Sequence, residues 1–294
     1  MSQTTASLQR KIKSAGDLQS VVRTMKALAA SNIGQYEKAV RALDDYHRGV
    51  EMGLSICLRQ NALAAPLTAA NRRTAVGAVV FGSDQGLVGR FNDVIVDFAV
   101  RTLDGVSDKP RVWVVGERAY ARLQEAGLPP EGLFPVANSV KAISPLVGRI
   151  LAESEALLDP GAVIEFYLFH NRPESGTNYV PASQRLLPLD ESWRRKLIEL
   201  PWATRNLPEV FGDATATVRA LVREYLFVSL YRACAESLAS ENASRLAAMQ
   251  RADKNIDELL EEFNGAFHRL RQSGIDEELF DVVSGFEALN GTTV

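Results

Sequence analysis

The residues whose types could support chemistry are few along this 294-residue chain. The loop FGSDQGLVG, residues 81–89, follows an apolar run and precedes a helical stretch, the position at which α/β folds bind phosphate groups. It lacks both the GxxxxGK[ST] spacing of a P-loop and the GxGxxG spacing of a dinucleotide-binding fold. Ser83 is not part of a GxSxG nucleophile elbow. A tight turn that needs glycine is therefore the favoured interpretation.

The histidines and cysteines do not form a ligand set. His47, His170 and His268 are far apart and match no HExxH spacing, so packed or solvated rings are favoured over metal ligands. Cys57 and Cys234 lie in helical patterns without a CxxC motif, which favours buried thiols, with a disulfide as the minor alternative. The sequence thus predicts no catalytic, cofactor-binding or metal-binding residue.

Two long helices dominate the ends of the chain. Residues 1–65 and 209–294 contain no proline, and both carry apolar residues at alternating steps of three and four. This spacing places a narrow apolar stripe on one side of a helix, as in a coiled coil. We expect a helix of roughly 75 Å at the N-terminus and one of roughly 110 Å at the C-terminus, at 1.5 Å per residue.

The middle of the chain has a different period. All twelve prolines lie between Pro66 and Pro208. Strands are predicted at 75–81, 111–115, 134–136 and 163–169, with an edge strand at 186–189, and helices at 90–103, 117–126 and 144–158. The alternation predicts a compact α/β, Rossmann-like domain with a mostly parallel sheet. The predicted organisation is a coiled-coil helix at 1–60, a linker at 62–71, the α/β domain at 75–208 and a coiled-coil helix at 209–294.

The connectivity makes the two long helices antiparallel, with paired residue numbers adding to about 270. Residues 1–60 hold nine Lys/Arg against five Asp/Glu, while residues 209–294 hold eight against fifteen. This register predicts pairing of Arg10 and Lys13 with Glu258 and Glu261, each exposed pair contributing ~0.2–1 kcal/mol. The first helix then ends opposite residue 262, and the second continues as an overhang that needs a partner protein to cover its apolar residues.

The charge distribution suits two segments that pair with each other better than it suits a nucleic-acid surface. No signal peptide and no stretch of eighteen apolar residues is present, so neither secretion nor a direct membrane span is expected. The expected location is cytoplasmic, with any attachment to a membrane made through another protein.

Several motifs resemble the gamma subunit of F-type ATP synthases. They are residues 2–60, the loop GSDQGLVGRFN, the stretch SLASENASRLAAMQRADKN (237–255) and RQSGIDEELFDVVSG (271–285). The resemblance implies a non-catalytic rotor shaft that couples ion-driven rotation of a c ring to ATP synthesis or hydrolysis. The implied partners are the alpha and beta subunits of the catalytic ring, the epsilon subunit and the c ring, at the cytoplasmic face of the membrane.

The resemblance also implies contact residues. Met25 matches a methionine near the lever of the beta subunit, and Arg245 and Gln272 match contacts between rotor and catalytic ring. The overhang adds the apolar residues Leu279, Phe280 and Val283 to this expected surface. Two alternatives of other classes stay open from the residues alone: a coiled-coil scaffold or adaptor with a small α/β domain, and an α/β nucleotide-binding enzyme.

Overall fold

The computed structural model describes residues 4–59, 74–107, 109–155, 163–189, 191–202, 204, 206, 208–210 and 212–290. The predicted linker at 62–71 lies outside these residues, and so does the end of the helix predicted to reach residue 158. Along the described residues the elements are α1 (Thr5–Arg59), β1 (Thr74–Phe81), α2 (Phe91–Asp104), β2 (Arg111–Val115), α3 (Glu117–Glu125), β3 (Gly132–Phe134), α4 (Val140–Glu155), β4 (Val163–Pro173), β5 (Tyr179–Leu187), α5 (Glu191–Ile198) and α6 (Ala214–Asn290).

The strands form one sheet in the order β3-β2-β1-β4-β5. β5 is antiparallel to β4, and the other neighbouring strands are parallel, which confirms the predicted mostly parallel α/β fold. The central strands are apolar on both faces because helices cover both sides of such a sheet. In β1, Val79 and Phe81 belong to one core, and Ala78 and Val80 belong to the other.

The two faces of the sheet are covered by different helices. On one face, Ile143 of α4 and Leu230 of α6 pack with Tyr36 of α1 against the strands. On the other face, Ile95 of α2 and Leu123 of α3 pack against them. A fully buried side chain of this size contributes roughly 1.5–3 kcal/mol to folding. α6 is therefore part of the core beneath the sheet as well as one of the two long helices.

The edge of the sheet differs from the prediction. The strand expected at 186–189 is the end of β5, which starts earlier, and β4 continues to Pro173. A short hairpin joins the two strands, in which the Glu174 N–H donates to the Asn178 carbonyl oxygen at 2.9 Å and Gly176 has a φ of 72°. β5 was underestimated because its residues do not show the apolar alternation on which strand prediction depends.

The chain divides into two compact units, and α1 and α6 contribute residues to both. The sheet unit comprises Ala29–Arg245, and the helical unit comprises Met1–Leu28 with Leu246–Val294. The core of the helical unit is formed by Val22, Met249 and Ile256, which are at most 6% exposed. In the sheet unit, the short helix α5 buries Leu197 against Leu54 and other residues near the end of α1.

Candidate functional site

The loop at residues 81–89 is a packed turn. A Cβ atom on Gly82 would overlap the Cβ of Ala119, and a Cβ on Gly116 would lie 2.7 Å from the backbone of Ser83. Gly116 also has a φ of 106°, a conformation that side-chain-bearing residues rarely adopt. Gly82 in the loop and Gly116 beside it are thus required by close packing, as the tight-turn interpretation proposes, and Gly89 adopts a φ of 56°.

The polar groups of this loop bind other parts of the sheet unit. The Ser83 N–H donates to Asn92 Oδ1 at 3.0 Å. The Asp84 carboxylate accepts the Glu117 N–H at 3.1 Å and the Val136 N–H at 2.9 Å. Asp84 therefore caps the first turn of α3 and holds the segment after β3, and these donors are engaged at the edge of the sheet where α/β folds bind ligands.

The three histidines lie in different places. His170 is buried on β4 and its Nε2 is 2.8 Å from Glu236 Oε2 of α6. His47 lies one turn from Glu51, and His268 is exposed beside Phe267. Among the described residues, no group of three or more His, Cys, Asp or Glu side chains could hold a metal ion. Cys57 and Cys234 are buried free thiols, and burial raises the pKa of both.

Arg245 lies at the edge of the sheet unit and is mostly buried. Its guanidinium donates to Glu241 Oε1 at 2.6 Å, and the side chains of Arg245 and Glu241 are 14% and 7% exposed. Burial raises the pKa of Glu241, and the facing Arg245 opposes part of that rise. Arg245 is thus held in a fixed orientation in this structure, with a small part of its side chain open to a partner.

Met25 lies in the helical unit and is half-buried. It packs against the cluster formed by Val22, Met249 and Ile256, so one side of the Met25 side chain belongs to the pair of helices. On the same helix, Leu18, Val21 and Leu28 are 54%, 55% and 62% exposed. Together with Met25 they follow the three-and-four spacing of a second stripe, and Met25 lies where this stripe borders the pair of helices.

The register of the two helices differs from the predicted one. Lys26 Nζ is 2.7 Å from Asp253 Oδ2, and Arg23 Nε is 3.1 Å from Asp253 Oδ1. Gln19 donates to Asp257, and the Lys11 ammonium lies over the Phe263 ring. The numbers of these partners add to between 274 and 279. The predicted sum of about 270 is met where Tyr46 donates to Glu224 in the sheet unit, but in the helical unit it is too low by four to nine residues, about one to two and a half helical turns.

The residues predicted to pair across the helices lie elsewhere in this register. Arg10, Lys13, Glu258 and Glu261 are all exposed. Arg10 donates to the Ala6 carbonyl oxygen of its own helix, and Glu258 lies 3.7 Å from Lys254 one turn away. The charges that do pair lie nearer the apolar cluster, where Asp253 is 13% exposed and its hydrogen bonds from Lys26 and Arg23 lower its pKa.

The overhang of α6 follows from the observed register. The described part of α1 begins at Thr5, so within the residues that the structure describes, α6 beyond about residue 271 has no α1 residue opposite it. Phe263, Phe267 and Leu270 are half-buried, whereas Gln272 is exposed. Five large apolar side chains that are 47% to 71% exposed come next: Ile275, Leu279, Phe280, Val282 and Val283. The unpartnered segment therefore begins about nine residues later than predicted and has the expected apolar character.

Known proteins resemble this chain over nearly its whole length. The sequence profile of the family described as ATP synthase matches residues 4–289. The chain belongs to the ATP synthase gamma-chain family. Its relatives in that family include the ATP synthase gamma chains of Parafrankia sp., 29% identical over 96% of each chain, and of Clostridium acetobutylicum, 25% identical over 96% of this chain and 97% of the relative.

Solved structures have the same fold. A chain of the Euglena gracilis mitochondrial ATP synthase OSCP/F1/c-ring structure matches with a TM-score of 0.67 at 17% identity, covering 99% of this chain and 96% of that one. A chain of the Euglena rotor structure matches with a TM-score of 0.58 at 18% identity, covering 92% and 98%. As a member of the gamma-chain family, the chain is a non-catalytic rotor-shaft subunit of an F-type ATP synthase.

The sequence analysis did not predict two functional features, although the sequence contains a signal for each. Lys26 and Asp253 both lie on the apolar stripes of their helices. Opposite charges on two facing apolar stripes are more stable when they pair with each other than when each is buried alone. Most of the buried polar residues of α6 between 236 and 244 lie inside the matched stretch at 237–255, but the β4 partners of Glu236 and Ser240 are far away in sequence. The first signal would have fixed the register, and the second becomes clear only in the folded chain.

Proposed function

We propose that this chain turns inside a ring of alpha and beta subunits and transmits ion-driven rotation to their catalytic sites. The observation that supports this most directly is the overhang, defined here as residues 272–285. It is an unpartnered helical segment with five large exposed apolar residues. Such a segment is costly in water, and a surrounding socket would bury surface worth roughly 1.5–3 kcal/mol for each large side chain.

Three groups of residues are assigned to the contact with the catalytic ring. Leu279, Phe280 and Val283 of the overhang would fill the socket, with Gln272 at its entrance. Met25 would present its open side to the lever of the beta subunit, next to the exposed Leu28. Arg245, held by Glu241, would offer the exposed part of its guanidinium to a carboxylate of the ring.

The three predicted segments have different proposed roles in the complex. We assign the coiled-coil helices at 1–60 and 209–294 to the shaft and the α/β domain at 75–208 to the contact with the epsilon subunit and the c ring. Within the described residues, no helix is long and apolar enough to cross a membrane. The proposed location is peripheral, at the cytoplasmic face of the inner or plasma membrane, and attachment runs through the c ring.

Co-purification tests the proposal. The tagged chain is expressed with the alpha, beta, epsilon and c subunits of its own organism, and the expected result is a purified complex that contains all of them and hydrolyses ATP. Recovery of the chain with unrelated proteins and without alpha or beta subunits would indicate an adaptor instead. A matched variant, Leu279→Asp with Phe280→Asp, should weaken recovery of the ring while the isolated chain stays folded, because both side chains are exposed.

A further inference from the structure

A line of buried polar side chains joins α6 to the carboxyl end of the sheet. Ser240 Oγ donates to the Asn171 carbonyl oxygen at 2.9 Å, and Ser244 Oγ donates to the Val88 carbonyl oxygen at 2.5 Å. Glu236 lies one turn before Ser240, so the three side chains lie on one face of α6 at intervals of four residues. All three are buried, at 7%, 0% and 8% exposure.

The Glu236 carboxylate extends this line of hydrogen bonds to His170 and Arg232. Its Oε2 accepts a hydrogen bond from His170 Nε2 at 2.8 Å, and its Oε1 accepts one from Arg232 Nε at 2.8 Å. Arg232 in turn lies 3.1 Å from Asp44 of α1. The same carboxylate therefore links β4, α6 and α1 within the sheet unit, and hydrogen bonds to a charged group are about twice as strong as neutral ones.

These hydrogen bonds restrain the rotation of α6 about its own axis, a motion that apolar packing restrains only weakly. Apolar burial depends on area and is not directional, whereas a hydrogen bond weakens steeply when its angle changes. Rotation of α6 about its own axis would move the three donors and acceptors out of line and would leave buried carbonyl groups without partners. The line therefore fixes the angular position of α6 against the sheet.

We propose that Glu236, Ser240 and Ser244 are positioning residues that carry torque between the sheet and α6. The proposal depends on the rotor function proposed above, because torque passes between these elements only in an assembled rotary complex. If the proposal is correct, loss of these hydrogen bonds lowers the torsional stiffness of the connection between α6 and the sheet. The catalytic ring then still hydrolyses ATP, but less of the rotation reaches the c ring under load.

The test uses the assembled complex with Ser240→Ala and Ser244→Ala together. Torsional stiffness is measured from the angular fluctuation of a bead on the beta subunits while the c ring is fixed to a surface. We expect a loss of stiffness and of ion pumping against a gradient, with unchanged ATP hydrolysis without load. In the isolated chain, amide exchange of α6 around residues 236–244 should become faster by about fivefold for each bond lost.

The chain offers a matched control in Ser229→Ala with Ser237→Ala. Both hydroxyls are buried on the same helix, at 3% exposure, and have no hydrogen-bond partner among the described residues. This control should keep full stiffness, and Ser244→Thr, which retains the hydroxyl, should keep most of it. If the double alanine variant does not fold, each single variant is measured in the same way.

The outcomes separate the two proposals. Wild-type chain that forms no complex with the ring would overturn the rotor function itself. A normal complex in which both double variants have wild-type stiffness would overturn the torque-carrying line alone. Equal losses in the two double variants would also overturn it, because removal of any buried hydroxyl would then have the same effect.

Discussion

At the scale of single residues, Glu236 shows how a buried charge can stabilise this fold. Burial alone would raise the pKa of Glu236, but hydrogen bonds from His170 and Arg232 outweigh that effect and lower it. A carboxyl group with a lowered pKa in the folded state contributes stability above its unfolded pKa and loses it as the pH falls through the folded value. Glu236 should therefore add to the stability of the chain at neutral pH and lose this contribution in acid.

Glu236→Gln tests that contribution. We expect the variant to lower the free energy of unfolding at pH 7 by ~1–3 kcal/mol, because charged hydrogen bonds to His170 and Arg232 are lost. Below the ordinary carboxyl pKa the difference from wild type should shrink, as measured by urea unfolding at several pH values. Glu258→Gln is the control, since Glu258 is exposed and its pair with Lys254 contributes ~0–1 kcal/mol. A pH-independent difference for Glu236→Gln would contradict the assignment.

Met25→Lys separates coupling from folding. Met25 is half-buried, so the alkyl part of a lysine can lie along the cluster while its ammonium reaches water. We expect normal assembly and retained ATP hydrolysis with reduced ion pumping, because the new charge meets acidic groups of a partner. Val22→Lys is the contrast: Val22 is 6% exposed, and its replacement should unfold the helical unit. Equal loss of assembly in both variants would make Met25 a core residue only.

At the scale of elements, the pairing of α1 with α6 depends on a few charges beside the apolar cluster. Lys26→Glu should lower the melting temperature of the chain, because two carboxylates would then face each other at Asp253. Asp253→Lys in the same chain should restore part of that loss. Failure of the second change to rescue the first would mean that these two residues do not set the register. Thermal unfolding of the single and double variants gives the coupling directly.

Removal of α6 from Ile275 onward tests the overhang. Residues 275–285 lie beyond the start of α1 and are exposed, so the melting temperature of the isolated chain should change little. The loss should instead appear as dissociation of the ring on size-exclusion chromatography. Ile256→Ala should have the opposite pattern, with a loss of ~2–5 kcal/mol in the stability of the chain, because Ile256 is 5% exposed in the cluster. A large drop in stability from the truncation would contradict the observed register.

The elements differ in how far the sequence could predict them. The strand at Arg111–Val115 and the start of the helix at Glu117 agree with their apolar runs and flanking glycine, which are local signals. The register could not be derived from helix ends alone, because an error of a few residues at each end moves every contact by a turn. The bond between Ser240 and Asn171 could not be predicted at all, since it joins residues 69 positions apart.

At the scale of the whole molecule, the isolated chain should neither bind nor hydrolyse ATP. In the loop at residues 81–89, the Ser83 N–H donates to Asn92, the Ser83 hydroxyl donates to the Gln85 carbonyl oxygen and the Gly82 N–H donates to the Val115 carbonyl oxygen. The Asp84 carboxylate accepts two backbone N–H groups. A phosphate group would have to displace these hydrogen bonds, and the loop has no P-loop lysine that could compensate for their loss. Isothermal titration of the purified chain with Mg-ATP should show no heat of binding. Tight binding at a ratio of one nucleotide per chain would contradict the non-catalytic role.

The exposed apolar residues of the overhang have a consequence for the life of the subunit in the cell. Newly made copies that find no catalytic ring display Phe280 and Val282, each 71% exposed, on a helix open to proteases and chaperones. Synthesis in excess would therefore end in degradation or aggregation. The steady-state amount of this chain should follow the supply of ring subunits, and depletion of the beta subunit should shorten its half-life.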